Sequence, residues 1–400
     1  MKRICNLLTV LLCVLLLTGC TYGVPETTAP TEPEYIGNSP VPNLRTGIMA
    51  QGTTALCNGV EVTNQGVYFF AQMDMGQYLM YVDHDGTEAV KLCSRPDCAH
   101  DSNTCNAFFP SATNVCAYNG HLYIETGFGA SVEITRLDMD GNNRTVVLDR
   151  SLTPSGYRGS SGTYITNGVF IFNLFKLDET GTEITDQFYW KLDGSMNQPV
   201  LMPEVSMYYS HGGTILMLDH DTDTLYQWSP DTNALSSLIE LPTNDPGYCG
   251  TEEFWYVEDG SVVRLHYADR QTEQVLDTGL DGCYAFHGFP DCFVLSEFVP
   301  YEEQDDRQLT SQTLHFYNWD MEELGTAKLD FPVYSPIDYM RIICAETENR
   351  IYLAAHFYGM PEYYIEKSDL GKGKVPIHPL ELPQDIRDYY HEMYLDPWEE

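Results

Sequence analysis

The stretch Gln77-Tyr-Leu-Met-Tyr-Val-Asp-His-Asp-Gly-Thr-Glu-Ala-Val-Lys-Leu92 reads as strand, tight turn, strand. Tyr78, Met80 and Val82 alternate with Leu79, Tyr81 and Asp83, the period of a pleated strand whose successive side chains face opposite ways. Asp83, Asp85 and Gly86 suit the turn, because aspartate side chains accept from nearby amides and glycine tolerates φ > 0. Val90 and Leu92 open the return strand.

Related units recur to the C-terminus, each with a lead strand ahead of it. The lead strands begin at Asn64, Tyr118, Thr166, Gly212, Phe254, Phe289 and Asn349. Their hairpins align at Tyr81, Arg136, Lys191, Trp228, His266, Tyr317 and Glu366, with steps of about 37 to 55 residues and a mean near 48. A period of about 40 to 50 residues with several strands per repeat points to propeller blades. One such sheet cannot bury both of its faces, so blades stack around a ring, and closing the ring removes its exposed edges. The expected fold is an all-β propeller of about seven blades, with six or eight as the neighbouring counts; a sandwich-rich multidomain chain is the alternative. Ring closure is expected from a strand near 47–57 completing the last blade near 375–382. The spacing of Ile386, Tyr389, Tyr390 and Met393 predicts a short helix over a blade edge.

Composition agrees with strands rather than helices: 28 Tyr and 17 Phe against only 21 Lys and Arg. With 58 acidic residues the formal charge is −37. A chain this acidic is repelled by nucleic acid and by anionic polymers, so no nucleic-acid partner is expected.

The N-terminus has a basic start at Lys2 and Arg3. An apolar run follows from Leu7 to Leu17, and then Leu17-Thr-Gly-Cys20. The run is shorter than the about 20 residues of a spanning helix and has the size of a signal-peptide core. Leu-x-Gly-Cys in this setting resembles the bacterial lipobox. The resemblance implies that residues 1–19 are a lipoprotein signal peptide and that Cys20 is the acylated residue. It also implies anchorage to the cell membrane on its extracytoplasmic face. Residues 20–45, rich in Pro, Thr and Glu, read as a disordered tether, and 46–400 as the propeller domain.

One local cluster carries metal chemistry: Cys93-x4-Cys98-x-His100-x4-Cys105. Three thiolates and an imidazole satisfy the four-coordinate preference of zinc, so these four residues are the candidate ligands of one structural zinc ion. Disulfide pairing is one alternative, since exported thiols tend to oxidise, and free cysteines, which an anaerobic habitat tolerates, are the other. Beyond Cys20 the exported chain has nine cysteines, an odd number; setting three aside for a metal leaves an even six. The segment Leu92-Cys-Ser-Arg-Pro-Asp-Cys-Ala-His-Asp-Ser-Asn-Thr-Cys105, with the lipobox and the loose repeats, resembles a group of uncharacterised lipoproteins of anaerobic Gram-positive bacteria. Leu-Cys-x-x-Pro-Asp-Cys-x-His-x4-Cys is its specific part. The resemblance implies fold and location and carries no activity with it.

No nucleophile elbow, phosphate loop or dinucleotide fingerprint occurs. Asp219-x-Asp221-x-Asp223 lacks the Gly and Glu of a calcium loop, with Thr224 and Pro230 in their places. Trp190, Trp228, Trp255 and Trp319 lie in or near hairpins and are expected to pack between blades. No catalytic residue stands out. The functional expectation is a lipid-anchored extracytoplasmic binding protein with a protein or glycan ligand. The alternative is a cell-surface glycosidase or polysaccharide lyase.

Overall fold

The structure, a computed structural model, describes residues 59–392 apart from 75, 101–103, 127–132, 167, 212–213, 243–247, 250–251, 281–282, 290, 301–309, 330–341 and 355–359. The expected signal peptide, the tether, Cys20 and the closing strand near 47–57 lie outside the described residues.

Seven small sheets form a seven-bladed β-propeller. Each is built on an up-and-down meander of four strands, spanning in turn 61–91, 112–148, 158–201, 206–240, 248–277, 283–328 and 343–379; the four follow one another in the chain except in blade 7, where Gly373–Lys374 intervenes before the last strand. The stretch Gln77–Leu92 supplies the third and fourth strands of blade 1, Gly76–Asp83 and Ala89–Lys91, paired through Met80↔Lys91, Tyr81↔Val90 and Val82↔Ala89. Its turn closes with Gly86 N–H donating to the Asp83 carbonyl at 2.9 Å. Gly86 does not take the positive φ expected of it. A side chain is disfavoured there because a Cβ would lie 3.0 Å from the Asp83 Cβ.

All seven alignment residues, from Tyr81 to Glu366, fall on third strands, and the lead strands are the second strands of their blades. The first strands escaped the sequence reading. The first strand of blade 1, Glu61–Val62, contacts those of blades 2 and 7, Ala112–Tyr118 and Ile343–Glu346, which places the first strands innermost in the ring.

Strand alternation builds the core. On the second strand of blade 3, Val169–Leu177, Phe170 and Phe172 pack toward blade 2, while Val169 and Ile171 pack toward blade 4. Every blade interface holds one such apolar cluster, seven in all. The four tryptophans are buried in these interfaces, as expected. Burying a large apolar side chain contributes about 1.5–3 kcal/mol, so the interfaces, not the individual hairpins, stabilise the ring.

The seam between blades 7 and 1 is crossed by the C-terminal chain. Gly373–Lys374 pairs in parallel with Glu323–Lys328 of blade 6. His378–Pro379 then forms the fourth strand of blade 7, so the segment expected to receive a closing strand supplies the outer strand itself. Next, Glu381 bridges blade 1: its N–H donates to the Thr87 carbonyl at 2.8 Å, and its carbonyl accepts from Ala89 N–H at 2.7 Å. The helix Gln384–Tyr390 follows, with Ile386 and Tyr390 buried in the seam cluster. Gln72 N–H donates to the Tyr390 hydroxyl at 3.0 Å, and Lys91 Nζ meets Asp385 at 2.5 Å. This is the predicted edge-covering helix.

Candidate metal centre

The Cys/His segment is an excursion from the outer edge of blade 1. It leaves the fourth strand, Ala89–Lys91, and returns as a fifth, Phe108–Phe109, which also pairs with Gly76–Asp83 through Gln77↔Phe109 and Tyr78↔Phe108. One residue clamps both ends of the loop. Leu92 N–H donates to the Leu79 carbonyl, and Leu79 N–H donates to the Ala107 carbonyl, each at 2.8 Å. The base is therefore fixed by the sheet, and the described residues 93–100 and 104–106 fold back on one another.

Cross-loop bonds set that fold. Cys98 N–H donates to the Arg95 carbonyl at 3.2 Å, and Arg95 Nη1 donates to the Thr104 carbonyl at 2.7 Å. His100 takes the left-handed conformation, φ 55°, uncommon for a side-chain-bearing residue. That turn brings its Nδ1 to 3.3 Å from the Cys105 Sγ. The donor atoms of Cys93, Cys98, His100 and Cys105 all lie within 4.8 Å of one another, the four residues singled out from their spacing. Zinc bonds of 2.0–2.3 Å in a tetrahedron put donors about 3.4–3.8 Å apart. The cluster thus needs to tighten by about an ångström at its widest, and the donor set fits zinc. Cys93, Cys98 and Cys105 form no disulfide.

Cys105 is buried, whereas Cys93, Cys98 and His100 are half-buried. Burial pushes the Cys105 thiol up to about 12, aided by the Cys98 and Cys93 thiols and opposed by the Ala107 amide. Burial also acts to raise Cys93, but the amides of Arg95 and Asn106, with the Cys105 and Cys98 thiols, outweigh it and hold Cys93 below the ordinary thiol value. A bound dication would favour the thiolate form of all three.

The loop docks on blade 2. Ser94 Oγ and Asn106 Nδ2 both donate to Asn142 Oδ1, at 2.8 and 3.1 Å. Arg144 Nη1 donates to the Phe108 carbonyl at 3.0 Å, with its guanidinium 4.1 Å from the Phe109 ring centre. Gly141, at φ +82°, admits this approach: a Cβ there would sit 2.6 Å from the Leu92 carbonyl oxygen. On its other side, Cys105 joins the seam cluster, and Cys93 and Cys98 pack against it. The loop thus touches blade 2 and the apolar cluster that fills the seam with blade 7. Neither Asn142 nor Arg144 is recognisable from sequence, because a turn asparagine there reads only as turn chemistry.

Among the described residues no other set of three or more Cys, His, Asp or Glu converges as a metal site. The Asp219 turn is what its sequence suggests: Asp219 accepts from Asp221 N–H at 3.0 Å and Thr222 Oγ1 at 2.9 Å. Glu61 is a buried acid that leaves no signal in the sequence. Glu61, 6% exposed on the innermost strand of blade 1, has an Oε1 with no hydrogen-bond partner. Burial raises its carboxyl from 4.5 to about 8, against a lowering from the Ala117 amide.

Fold and site together define a seven-bladed propeller with a closed Cys3His cluster on the outer edge of its first blade. No family model matches the chain, and no curated protein matches it. Solved structures similar to it include a prolyl endopeptidase, at 10% identity and a TM-score of 0.46, covering 82% of this chain and 52% of that one. A putative 6-phosphogluconolactonase from Bacteroides fragilis is similar at 10% identity and a TM-score of 0.41, covering 78% and 93%. The β-propeller domain of the Trilobed protease from Pyrococcus furiosus is similar at 13% identity and 0.36, covering 66% and 83%. The chain thus spans about half the length of the prolyl endopeptidase it resembles.

Proposed function

We propose that this chain is a lipid-anchored extracytoplasmic propeller that binds a protein or glycan ligand, and that Cys93, Cys98, His100 and Cys105 hold one structural zinc ion. The observation that carries the zinc reading is the convergence of all four donors inside 4.8 Å on a loop clamped at both ends. Four protein donors complete a tetrahedron and leave no position for water or substrate, which favours a structural over a catalytic ion. Zinc here ties the loop that contacts blade 2 and the seam, so its contribution is to hold blade 1 in register with its neighbours.

Anchorage rests on the residues at Leu17–Cys20 and on the tether behind them. Its test is metabolic acyl labelling with membrane fractionation: wild type labels and sediments, Cys20→Ser does neither, and an unlabelled wild-type chain sinks the anchor. A propeller presents loop-built faces that suit recognition without chemistry. For the binding role, saturable binding to wall or dietary glycans, or to a cell-surface protein, without turnover is the expected result. Release of reducing ends would replace the binding reading with the polysaccharide-active enzyme.

A further inference from the structure

Three thiols whose sulfurs all lie within 4.8 Å of one another have the proximity that disulfide chemistry needs, besides that of a metal site. Two of them, Cys93 and Cys98, are half-buried and flank the exposed residues Ser94 to Asp97, while Cys105 lies buried beside the returning strand. Residues 93–98 belong to no strand. Cys105 is part of the apolar seam cluster, whereas Cys93 and Cys98 only pack against it and keep part of their surface open. Accessibility and proximity coincide in the same pair.

We propose that Cys93 and Cys98 are a peroxide-oxidisable pair, and that their oxidation to a disulfide releases the zinc and unlatches the loop from blade 2 and the seam. The inference rests on the zinc reading above. The Cys93 thiolate attacks hydrogen peroxide: an S–O bond forms, the O–O bond breaks, and hydroxide leaves. The Cys98 thiolate then attacks the sulfenic sulfur: the S–S bond forms, the S–O bond breaks, and a second hydroxide leaves. The two sulfurs lose two electrons, peroxide gains them, and two protons complete two waters. With two of four donors consumed, Cys105 and His100 alone do not retain the ion. The oxidant class follows from charge. A chain of net charge −37 repels anionic oxidants, including oxidised glutathione, whereas hydrogen peroxide is neutral. Metal and disulfide, which compete as readings of this spacing, are then two states of one site.

The test uses the full chain, purified in detergent under anaerobic conditions with its zinc content measured first. Hydrogen peroxide is added stepwise while a chromophoric chelator reports released zinc, and non-reducing peptide mapping locates the bonds. The expected result is release of one zinc per chain, with a Cys93–Cys98 disulfide formed in step and both changes reversed by dithiothreitol and zinc. Cys93→Ala should abolish peroxide-driven disulfide formation, and its folding is checked by circular dichroism; the wild-type titration stands without it. A chain isolated without zinc overturns both the metal reading and this inference. A chain that starts with zinc and keeps it at peroxide levels that oxidise a free model thiol overturns the inference alone. So does release with sulfinic acid, or with a bond to Cys105, in place of the Cys93–Cys98 disulfide.

Discussion

Replacing Glu61 with glutamine should change how stability depends on pH. The carboxyl is almost fully enclosed on the innermost strand of blade 1, with Cys116 facing it from blade 2 and one oxygen without a hydrogen bond. Burial moves it from 4.5 to about 8. The folded chain therefore holds a proton that the unfolded chain has lost, and stability falls as pH rises through the window from 4.5 to about 8. One proton costs about 1.4 kcal/mol per pH unit, so between pH 5 and pH 8 this group removes about 3–4 kcal/mol. Glu61→Gln keeps the shape and cannot ionise. It should be within about 1 kcal/mol of wild type at pH 5, where its added amide donors are the main difference. At pH 8 it should be the more stable chain by about 3 kcal/mol. Urea unfolding followed by tryptophan fluorescence from pH 5 to 8 reads this as diverging midpoints with a common slope. Glu346, raised to about 7 by burial despite the opposing Lys367, titrates in both chains and cancels. Midpoints that run parallel across the range would show that the carboxyl is solvated, and the reasoning would fail.

Other substitutions probe the seam and the loop. Ile386→Ala removes a fully buried side chain between the first and last blades and should cost about 2–5 kcal/mol, with earlier proteolysis of the C-terminal segment. Lys91→Met breaks the ion pair to Asp385, whose carboxylate is 53% exposed, and should cost under about 1 kcal/mol in the same urea assay. Gly141→Ala places a Cβ against the Leu92 carbonyl at positive φ; it should cost about 1–3 kcal/mol and weaken zinc affinity in a chelator competition, since the blade 2 turn must retreat from the loop.

The sequence reading and the structure agree where side chains alternate between two apolar interfaces. Tyr78, Met80 and Val82 announce their strand because one face of it meets the seam cluster. Phe170 and Phe172 do the same for blade 3. The first strands stayed hidden because the signal weakens there. Glu61–Val62 and Tyr248–Cys249 have two residues each, too few for a period, and Arg158–Thr166 reads as a polar, glycine-containing loop. The C-terminal crossing was hidden for another reason. Gly373–Lys374 and His378–Pro379 pair through backbone groups, which leave no pattern in side-chain type. The four metal-ligand candidates were legible because thiol and imidazole chemistry is rare and local. The surroundings that dock their loop, Asn142 and Arg144, come from about 40 residues away, beyond the reach of spacing arguments.

The most direct test of the account is the metal content of the anaerobically purified chain, by elemental analysis alongside thiol titration. The account predicts one zinc per wild-type chain, none in Cys98→Ser, and an unchanged far-ultraviolet spectrum in that variant. Wild-type chain that carries no metal, binds none from buffered zinc, and titrates with Cys93, Cys98 and Cys105 all as free thiols would contradict it.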